Sequence, residues 1–202
     1  MKLWLVRHGE TQANVDGLYS GHAPTPLTER GIQQARSLGD CLRAVPFDQV
    51  LCSELARTQH TADLLLAGRP IPRQIIPSLN EMFFGDWEMR RHRDLQKEDP
   101  RNYAAWCKDW QHATPTNGES FQAFAQRIAD FAASLGQYQQ RANLLIVGHQ
   151  GALSLLIALL LQMPAAAMWH FPLAHGCWSL IERRDDFTTL RVLNSQAQWR
   201  AE

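Results

Sequence analysis

Short apolar runs alternate with longer amphipathic segments over most of the chain. The runs end abruptly in glycine or polar residues, which is typical of buried strands. Such strands are predicted at 3–6, 49–52, 74–76, 144–147, 177–182 and 188–193. Between them, apolar residues recur at helical spacing, and helices are predicted at 28–42, 54–66, 118–138 and 152–161. This β-α-β-α order predicts an α/β protein, a three-layer αβα sandwich whose mostly parallel central sheet carries helices on both faces.

The segment at about 82–118 departs from this alternation. It is polar and aromatic, and it lacks the apolar residues needed for a core of its own. We therefore expect a helical cap inserted into a single domain that spans 1–202, with a β-hairpin around Arg184-Asp185-Asp186 near its end. Trp106 and Trp110, four residues apart, are predicted to lie on one face of a cap helix, where packing is their more usual role.

Residues suited to an anionic substrate follow the predicted parallel strands. Arg7 and His8 directly follow the first strand, Arg57 the second, Glu81 the third and His149 the fourth. Because the carboxyl ends of parallel strands meet at one edge of a sheet, we expect one site assembled from distant segments. Arginine binds phosphate bidentately and keeps its charge, and a neighbouring imidazole can accept a phosphoryl group. The residues alone support an anion site with His and Arg; an ordinary surface Arg-His pair is the alternative.

The motifs around these residues resemble those of the histidine phosphatase (phosphoglycerate mutase-like) superfamily. They occur in the family's order over nearly the whole chain: Arg7-His8-Gly9-Glu10-Thr11 with Asn14, Ser53-Glu54-Leu55-Ala56-Arg57-Thr58, Asn80-Glu81 and Gly148-His149-Gln150-Gly151. The resemblance implies a phosphoglycerate mutase-like fold and a phosphomonoesterase that works through a phosphohistidine.

The resemblance also implies a role for each site residue. His8 is expected to attack phosphorus, while Glu81 protonates the leaving oxygen and then activates water. His149, expected to be protonated, adds positive charge where negative charge develops. The phosphoryl oxygens are held by the phosphate-binding residues Arg7, Asn14 and Arg57. No carboxylate cluster suited to Mg²⁺ lies beside these residues in the sequence, so neither a metal nor another cofactor is expected.

Two further segments, 19–22 and 83–89, are most similar to superfamily members that act on the 5′-phosphate of a benzimidazole riboside. Substrate contacts are therefore expected from Gly21, Trp87 and Gln150. Aromatic residues around Glu81 and the cap would suit such a planar base: Phe83, Phe84, Trp87, Tyr103, Trp106 and Trp110. The alternative is that most of these rings only pack the cap onto the sheet.

Three other functions are compatible with the same fold. One is a broad-specificity sugar or nucleotide phosphatase. Another is a phosphoglycerate mutase. Family mutases that use 2,3-bisphosphoglycerate usually carry a longer insertion after the Glu81 region, whereas this chain is short there. The third is a non-catalytic module that binds a phosphorylated ligand. The argument against it is that every catalytic position of the family motifs is intact in this sequence.

Composition narrows the partners and the compartment. Among the 202 residues, Lys+Arg and Asp+Glu each number 20, so no global field favours nucleic acid or a membrane. The expected partner is a small-molecule phosphate ester, and the oligomeric state stays open. The four cysteines have no CxxC spacing, which argues against zinc and favours small, buried, reduced side chains. With no signal peptide before the first strand, a cytoplasmic protein is expected.

Overall fold

Six strands form one sheet in the computed structural model, which describes residues 1–139, 142–185 and 187–200. The strands are β1 (Lys2–Arg7), β2 (Gln49–Cys52), β3 (Arg73–Ile75), β4 (Asn143–Gly148), β5 (Trp178–Arg184) and β6 (Phe187–Ser195). Their order across the sheet is β3-β2-β4-β1-β5-β6. The pairs β1–β4, β2–β4 and β2–β3 are parallel, whereas the pairs β1–β5 and β5–β6 are antiparallel. The predicted mostly parallel sheet is confirmed, with β1 and β4 at its centre.

Helices connect the strands and cover the sheet. They are α1 (Gln12–Val15), α2 (Glu29–Cys41), α3 (Ala56–Leu66), α4 (His92–Glu98), α5 (Pro100–Lys108), α6 (Phe121–Ser134) and α7 (Gln150–Leu160). Short 3₁₀ turns occupy Pro77–Leu79, Gly85–Trp87, Leu135–Gln137 and Ala165–His170. Across the described ranges, no helix combines the length and the apolar character needed to cross a membrane.

Alternate residues of the strands face two separate cores. Leu3 and Leu5 of β1 pack with apolar residues of α6 and α7. Trp4 and Val6 point to the opposite face and pack with α2 and α3. This alternation follows from the two-residue period of a strand. The predicted arrangement of helices on both faces of the sheet is therefore confirmed.

Side-chain caps place the helix starts close to their predicted positions. The hydroxyl of Thr28 accepts a hydrogen bond from the Gly31 amide, which fixes the start of α2. Ser120 caps α6 in the same way, so this helix begins slightly later than predicted. The hairpin of β5 and β6 is confirmed, although Asp186 lies outside the described residues.

Two predictions for the cap were wrong. Helix α5 ends at Lys108, so Trp110 lies beyond it and does not share a helical face with Trp106. Instead the Trp110 ring packs edge-on against Phe121 of α6, at 4.6 Å between centroids. Cys107 was expected to be buried, but it lies exposed on α5.

A close approach of two glycines joins the end of β1 to α2. A Cβ added at Gly31 would lie 2.2 Å from the Glu10 carbonyl oxygen, and one at Gly9 would lie 2.4 Å from the Gly31 carbonyl oxygen. Both obstacles are backbone atoms, which cannot swing aside as a side chain can. The residues that follow β1 are therefore held against the first turn of α2.

We expect Gly31→Ala to lower the free energy of unfolding by about 1–3 kcal/mol, because the new methyl group overpacks this contact. Gly136→Ala is the matched control, since a Cβ there meets nothing within 4 Å. The control should stay within about 1 kcal/mol of the wild type in urea unfolding. Equal stability of the two variants would contradict the proposed tight contact.

Candidate active site

The structure brings together the residues that follow the parallel strands. Arg7 ends β1 and His8 comes next, while His149 is the N-cap of α7, directly after the neighbouring strand β4. The rings of His8 and His149 lie 5.1 Å apart. Arg57 lies in the first turn of α3, and its charge acts on both imidazoles. The residues thus form one cluster at the carboxyl edge of the sheet.

His8 is buried and presents one nitrogen as a free base. Its Nδ1 lies 2.8 Å from the carbonyl oxygen of Gly9. Because a carbonyl can only accept, Nδ1 must carry the proton and Nε2 keeps its lone pair. Burial, followed by the positive charge of Arg57, holds the pKa of His8 well below its ordinary value. A neutral imidazole with this tautomer is suited to nucleophilic attack through Nε2.

His149 was expected to be protonated, but its surroundings favour the neutral ring. Burial lowers its pKa well below the ordinary value, and the charge of Arg57 and the presence of His8 lower it further. Its Nε2 lies 2.8 Å from the hydroxyl of Ser53. Its Nδ1 is buried and makes no hydrogen bond to the part of the chain that is described. His149 is therefore a neutral imidazole with one unpaired nitrogen.

The guanidinium of Arg7 lies beside the segment that precedes β5. Its Nη1 donates to the side-chain oxygen of Gln150 and to the carbonyl of Leu173, the latter at 2.8 Å. Burial lowers the pKa of Arg7 to about 10, which still leaves the group charged at neutral pH. Its Nε is buried without a hydrogen-bond partner among the described residues.

Arg57 is held by the loop that follows α1. Its two terminal nitrogens donate to the carbonyl oxygens of Gly21 and Ala23, at 2.5 and 3.2 Å. Gly21 was predicted to contact substrate, but it is buried and its carbonyl supports Arg57. A Cβ at Gly21 would lie 2.2 Å from the carbonyl oxygen of Met82, so close backbone packing explains the glycine. Like that of Arg7, the Nε of Arg57 is buried and unpaired within the described ranges.

Asn14 belongs to a small capping structure. Its side-chain oxygen accepts hydrogen bonds from the amide and the hydroxyl of Thr11, at 3.0 and 2.9 Å, at the start of α1. The oxygen is thus committed to Thr11, whereas the side-chain nitrogen of Asn14 makes no hydrogen bond within the described residues. A contact from that nitrogen to a phosphoryl oxygen stays a prediction.

The Glu81 carboxylate caps α7. It accepts hydrogen bonds from the amides of Gly151 and Ala152, at 2.8 and 3.2 Å. These two amides at the start of α7 therefore point to Glu81 and not to the cluster of arginines and histidines. The main chain of Glu81 is held in turn by Arg127, which donates to the carbonyls of Ser78, Asn80 and Glu81. Sequence reasoning missed Arg127, since nothing local marks an arginine on a helix as a loop anchor.

A cavity of about 390 Å³ opens beside Glu81 and Gln150. Its walls are largely aromatic, with Tyr19, Phe84, Trp106, Trp110, Phe121 and Trp169 among the lining residues. We call it the aromatic cavity. Trp87 does not line it, contrary to prediction: its side chain is 1% exposed and packs with Leu95 and Tyr103, and its indole donates to Asp99 at 2.8 Å. Of the rings expected around the cavity, Phe84, Trp106 and Trp110 line it, whereas Phe83, Trp87 and Tyr103 do not.

A third imidazole lies beside His8, and sequence reasoning missed it. The ring of His175 is 5.4 Å from that of His8, and its Nδ1 donates to the His8 carbonyl oxygen at 2.7 Å. Burial and the charge of Arg7 lower the pKa of His175 to about 4. The available signal was the His175-Gly176 pair before β5, which repeats the His-Gly pair after β1. Among the described residues, no group of three or more His, Cys, Asp or Glu side chains could hold a metal ion.

Comparisons with known proteins agree with this geometry. A family model described as Histidine phosphatase superfamily (branch 1) matches residues 3–196. The chain is 67% identical to an adenosylcobalamin/alpha-ribazole phosphatase of Escherichia coli K12 over 197 residues, which cover 98% of this chain and 97% of that one. It is 64% identical to the Salmonella typhimurium protein of the same name over the full length of both. The crystal structure of the alpha-ribazole phosphatase from Shigella flexneri superposes with a TM-score of 0.97 at 66% identity, and covers 100% of both chains.

The three buried imidazoles predict that the protein loses stability in mild acid. In the unfolded chain, histidine takes up a proton near its ordinary pKa of about 6.5, whereas His8, His149 and His175 stay neutral in the folded protein until a lower pH. Below about pH 6.5 the unfolded state therefore binds more protons, and each such histidine lowers the free energy of unfolding by up to about 1.4 kcal/mol per pH unit.

Urea unfolding at pH 7.5, 6.0 and 5.0 measures this slope, and His175→Asn supplies the comparison. Because the variant lacks the group with a pKa of about 4, its stability should fall less steeply between these pH values. Parallel curves for the variant and the wild type would mean that His175 takes up its proton equally well in both states.

Proposed function

The chain belongs to the histidine phosphatase superfamily (branch 1), and from this membership we propose that it removes the 5′-phosphate of α-ribazole phosphate or of adenosylcobalamin 5′-phosphate. The names of the full-length relatives support this substrate class. The reaction belongs to the assembly of the cobalamin nucleotide loop, and the phosphoryl group passes through a phosphohistidine.

His8 and Glu81 carry the two chemical steps. Nε2 of His8 attacks phosphorus, so that a P–N bond forms as the ester P–O bond breaks, and Glu81 gives its proton to the leaving ribose oxygen. Water then attacks the phosphohistidine while Glu81 takes a proton from it, which releases phosphate and restores both residues. The tautomer of His8 supports the first step, because Nδ1–H is bound to Gly9 and Nε2 is left as the base.

Buried unpaired nitrogens support phosphate binding at this cluster. Nε of Arg7, Nε of Arg57 and Nδ1 of His149 are buried and make no hydrogen bond within the described residues. Leaving such groups unpaired is costly, and phosphoryl oxygens would satisfy them. Transfer of a phosphoryl group needs such positioning and charge stabilisation above all.

Neutral His149 can serve as a donor without extra charge. Ser53 Oγ lies 2.8 Å from Thr58 Oγ1, and when Thr58 donates to it, the proton of Ser53 can go to Nε2 of His149. Nδ1 then carries the ring proton and donates to a phosphoryl oxygen. This role replaces the protonated His149 expected from the sequence.

The observation that carries the substrate class is the aromatic cavity next to Glu81 and Gln150. Its volume of about 390 Å³ is within the range of small-molecule sites. Flat aromatic walls suit a planar base, and a benzimidazole has no exocyclic amino or carbonyl group that would lose hydrogen bonds there. The base of an ordinary nucleotide carries such groups and would bind less well.

A panel of phosphomonoesters tests the substrate assignment. We expect kcat/KM for α-ribazole phosphate to exceed that for AMP by more than about tenfold, or 1.4 kcal/mol, because AMP is also a ribose 5′-phosphate but carries a polar base. Fructose phosphates and 3-phosphoglycerate complete the panel. A flat profile would indicate a broad-specificity phosphatase, and preference for 3-phosphoglycerate would indicate a mutase.

We expect His8→Ala to abolish turnover, because the variant lacks the nucleophile, while the fold is retained. In the wild type, enzyme quenched during turnover should carry phosphate on His8 that is labile in acid and stable in base. His112→Ala is the control, since His112 is exposed in the cap and paired with Asp109. Normal turnover by His8→Ala, or no labelled histidine in the wild type, would disprove the mechanism.

A further inference from the structure

The segment 172–176 folds back over the end of β1 and contacts both residues of the Arg7-His8 pair. The carbonyl of Leu173 accepts from Nη1 of Arg7 at 2.8 Å. Two residues later, Nδ1 of His175 donates to the carbonyl of His8 at 2.7 Å. Residues of a late loop thus support the guanidinium and the backbone of the proposed nucleophile.

We propose that His175 is a positioning residue that fixes the orientation of the His8 ring, an inference that rests on the nucleophilic role proposed for His8. The peptide between His8 and Gly9 is held on both edges. His175 binds its carbonyl oxygen, and Thr61 Oγ1 accepts from its N–H at 3.0 Å. The amide of His8 itself donates to Gly148 of β4 at 2.9 Å.

The two hydrogen bonds to the peptide between His8 and Gly9 set the direction of Nε2 of His8. The His8 ring is oriented by the bond from its Nδ1 to the carbonyl of Gly9. If the peptide between the two residues turned, the Gly9 carbonyl would move and the ring would lose its partner. Because in-line attack tolerates little displacement of the nucleophile, the support from His175 acts on the rate of transfer more than on phosphate binding.

His175 is itself anchored to the edge strand of the sheet. The side chain of Asn194 in β6 accepts from the amide of Ala174 at 2.9 Å and donates to the carbonyl of Pro172 at 2.7 Å. Gly176 packs against Gln34 of α2, where an added Cβ would lie 3.0 Å from the side chain. The loop is thus fixed at both sides of His175.

The neutral state of His175 fits the positioning role. A carbonyl only accepts, so Nδ1 carries the ring proton, and a pKa of about 4 leaves the ring uncharged at neutral pH. A neutral donor holds the His8 carbonyl without adding a positive charge to a site that already contains the charges of Arg7 and Arg57.

Three substitutions test the proposal with p-nitrophenyl phosphate, a small substrate independent of the base specificity. His175→Asn keeps a donor near the position of Nδ1, His175→Gln moves it towards that of Nε2, and His175→Ala removes it. We expect Ala and Gln to lower kcat and the rapid-quench rate of His8 phosphorylation by about 10- to 100-fold. Asn should stay within about threefold of the wild type, and KM should change little in all three.

Thermal unfolding of each variant separates positioning from stability. Asn and Gln differ in where they place the donor, so the comparison decides even if the Ala variant folds poorly. Wild-type kcat in the Gln variant, equal losses in Asn and Gln, or an effect confined to KM would overturn the role of His175. Absence of phosphohistidine from the wild type would instead overturn the proposed function.

Discussion

Two guanidinium groups, that of the buried Arg57 and that of the partly buried Arg7, are held at this site by neutral acceptors. Within the described residues, Arg7 donates to Gln150 and Leu173, and Arg57 donates to Gly21 and Ala23. None of these acceptors is a carboxylate, so neither charge is cancelled by a directly bonded anion. A buried charge without an ion pair is costly, and carbonyl dipoles compensate only part of it. The same positive field adds to the effect of burial, which is the main reason that the neighbouring imidazoles stay neutral.

The Glu81 carboxylate lies near enough to Arg7 and Arg57 to affect their pKa values, but it forms no salt bridge to either. Its side chain is satisfied by the first amides of α7, and its backbone is tied down by Arg127. Arg127 also pairs with Glu119, at 2.7 Å, so that its own charge is balanced outside the phosphate cluster. Glu81 is also linked to Arg57, because its carbonyl oxygen lies 2.9 Å from Nε2 of His22, in the loop whose carbonyls hold Arg57.

The sequence predicted what depends on local patterns. Apolar runs located the strands, and the residues directly after them, such as Arg7, His8 and His149, come together because strand ends meet at one edge. It could not predict contacts that depend on how loops pack. Trp87 and Trp110 are both aromatic cap residues, yet one is buried beneath the cap and the other lines the cavity. His175 lies in a loop that is held by Asn194 through hydrogen bonds to Ala174 and Pro172. No sequence pattern links these positions.

The position of β1 in the sheet has a consequence for how the protein is made. This strand is formed by residues 2–7, but its two partners are β4 at 143–148 and β5 at 178–184. During synthesis the nascent chain therefore carries an unpaired, apolar central strand until β4 and β5 have emerged from the ribosome. Pairing over such long sequence separations is slow, and exposed strand edges invite aggregation in the meantime. The strand that leads to His8 is thus translated well before both of its neighbours, and it can take its place in the sheet only after they have been made.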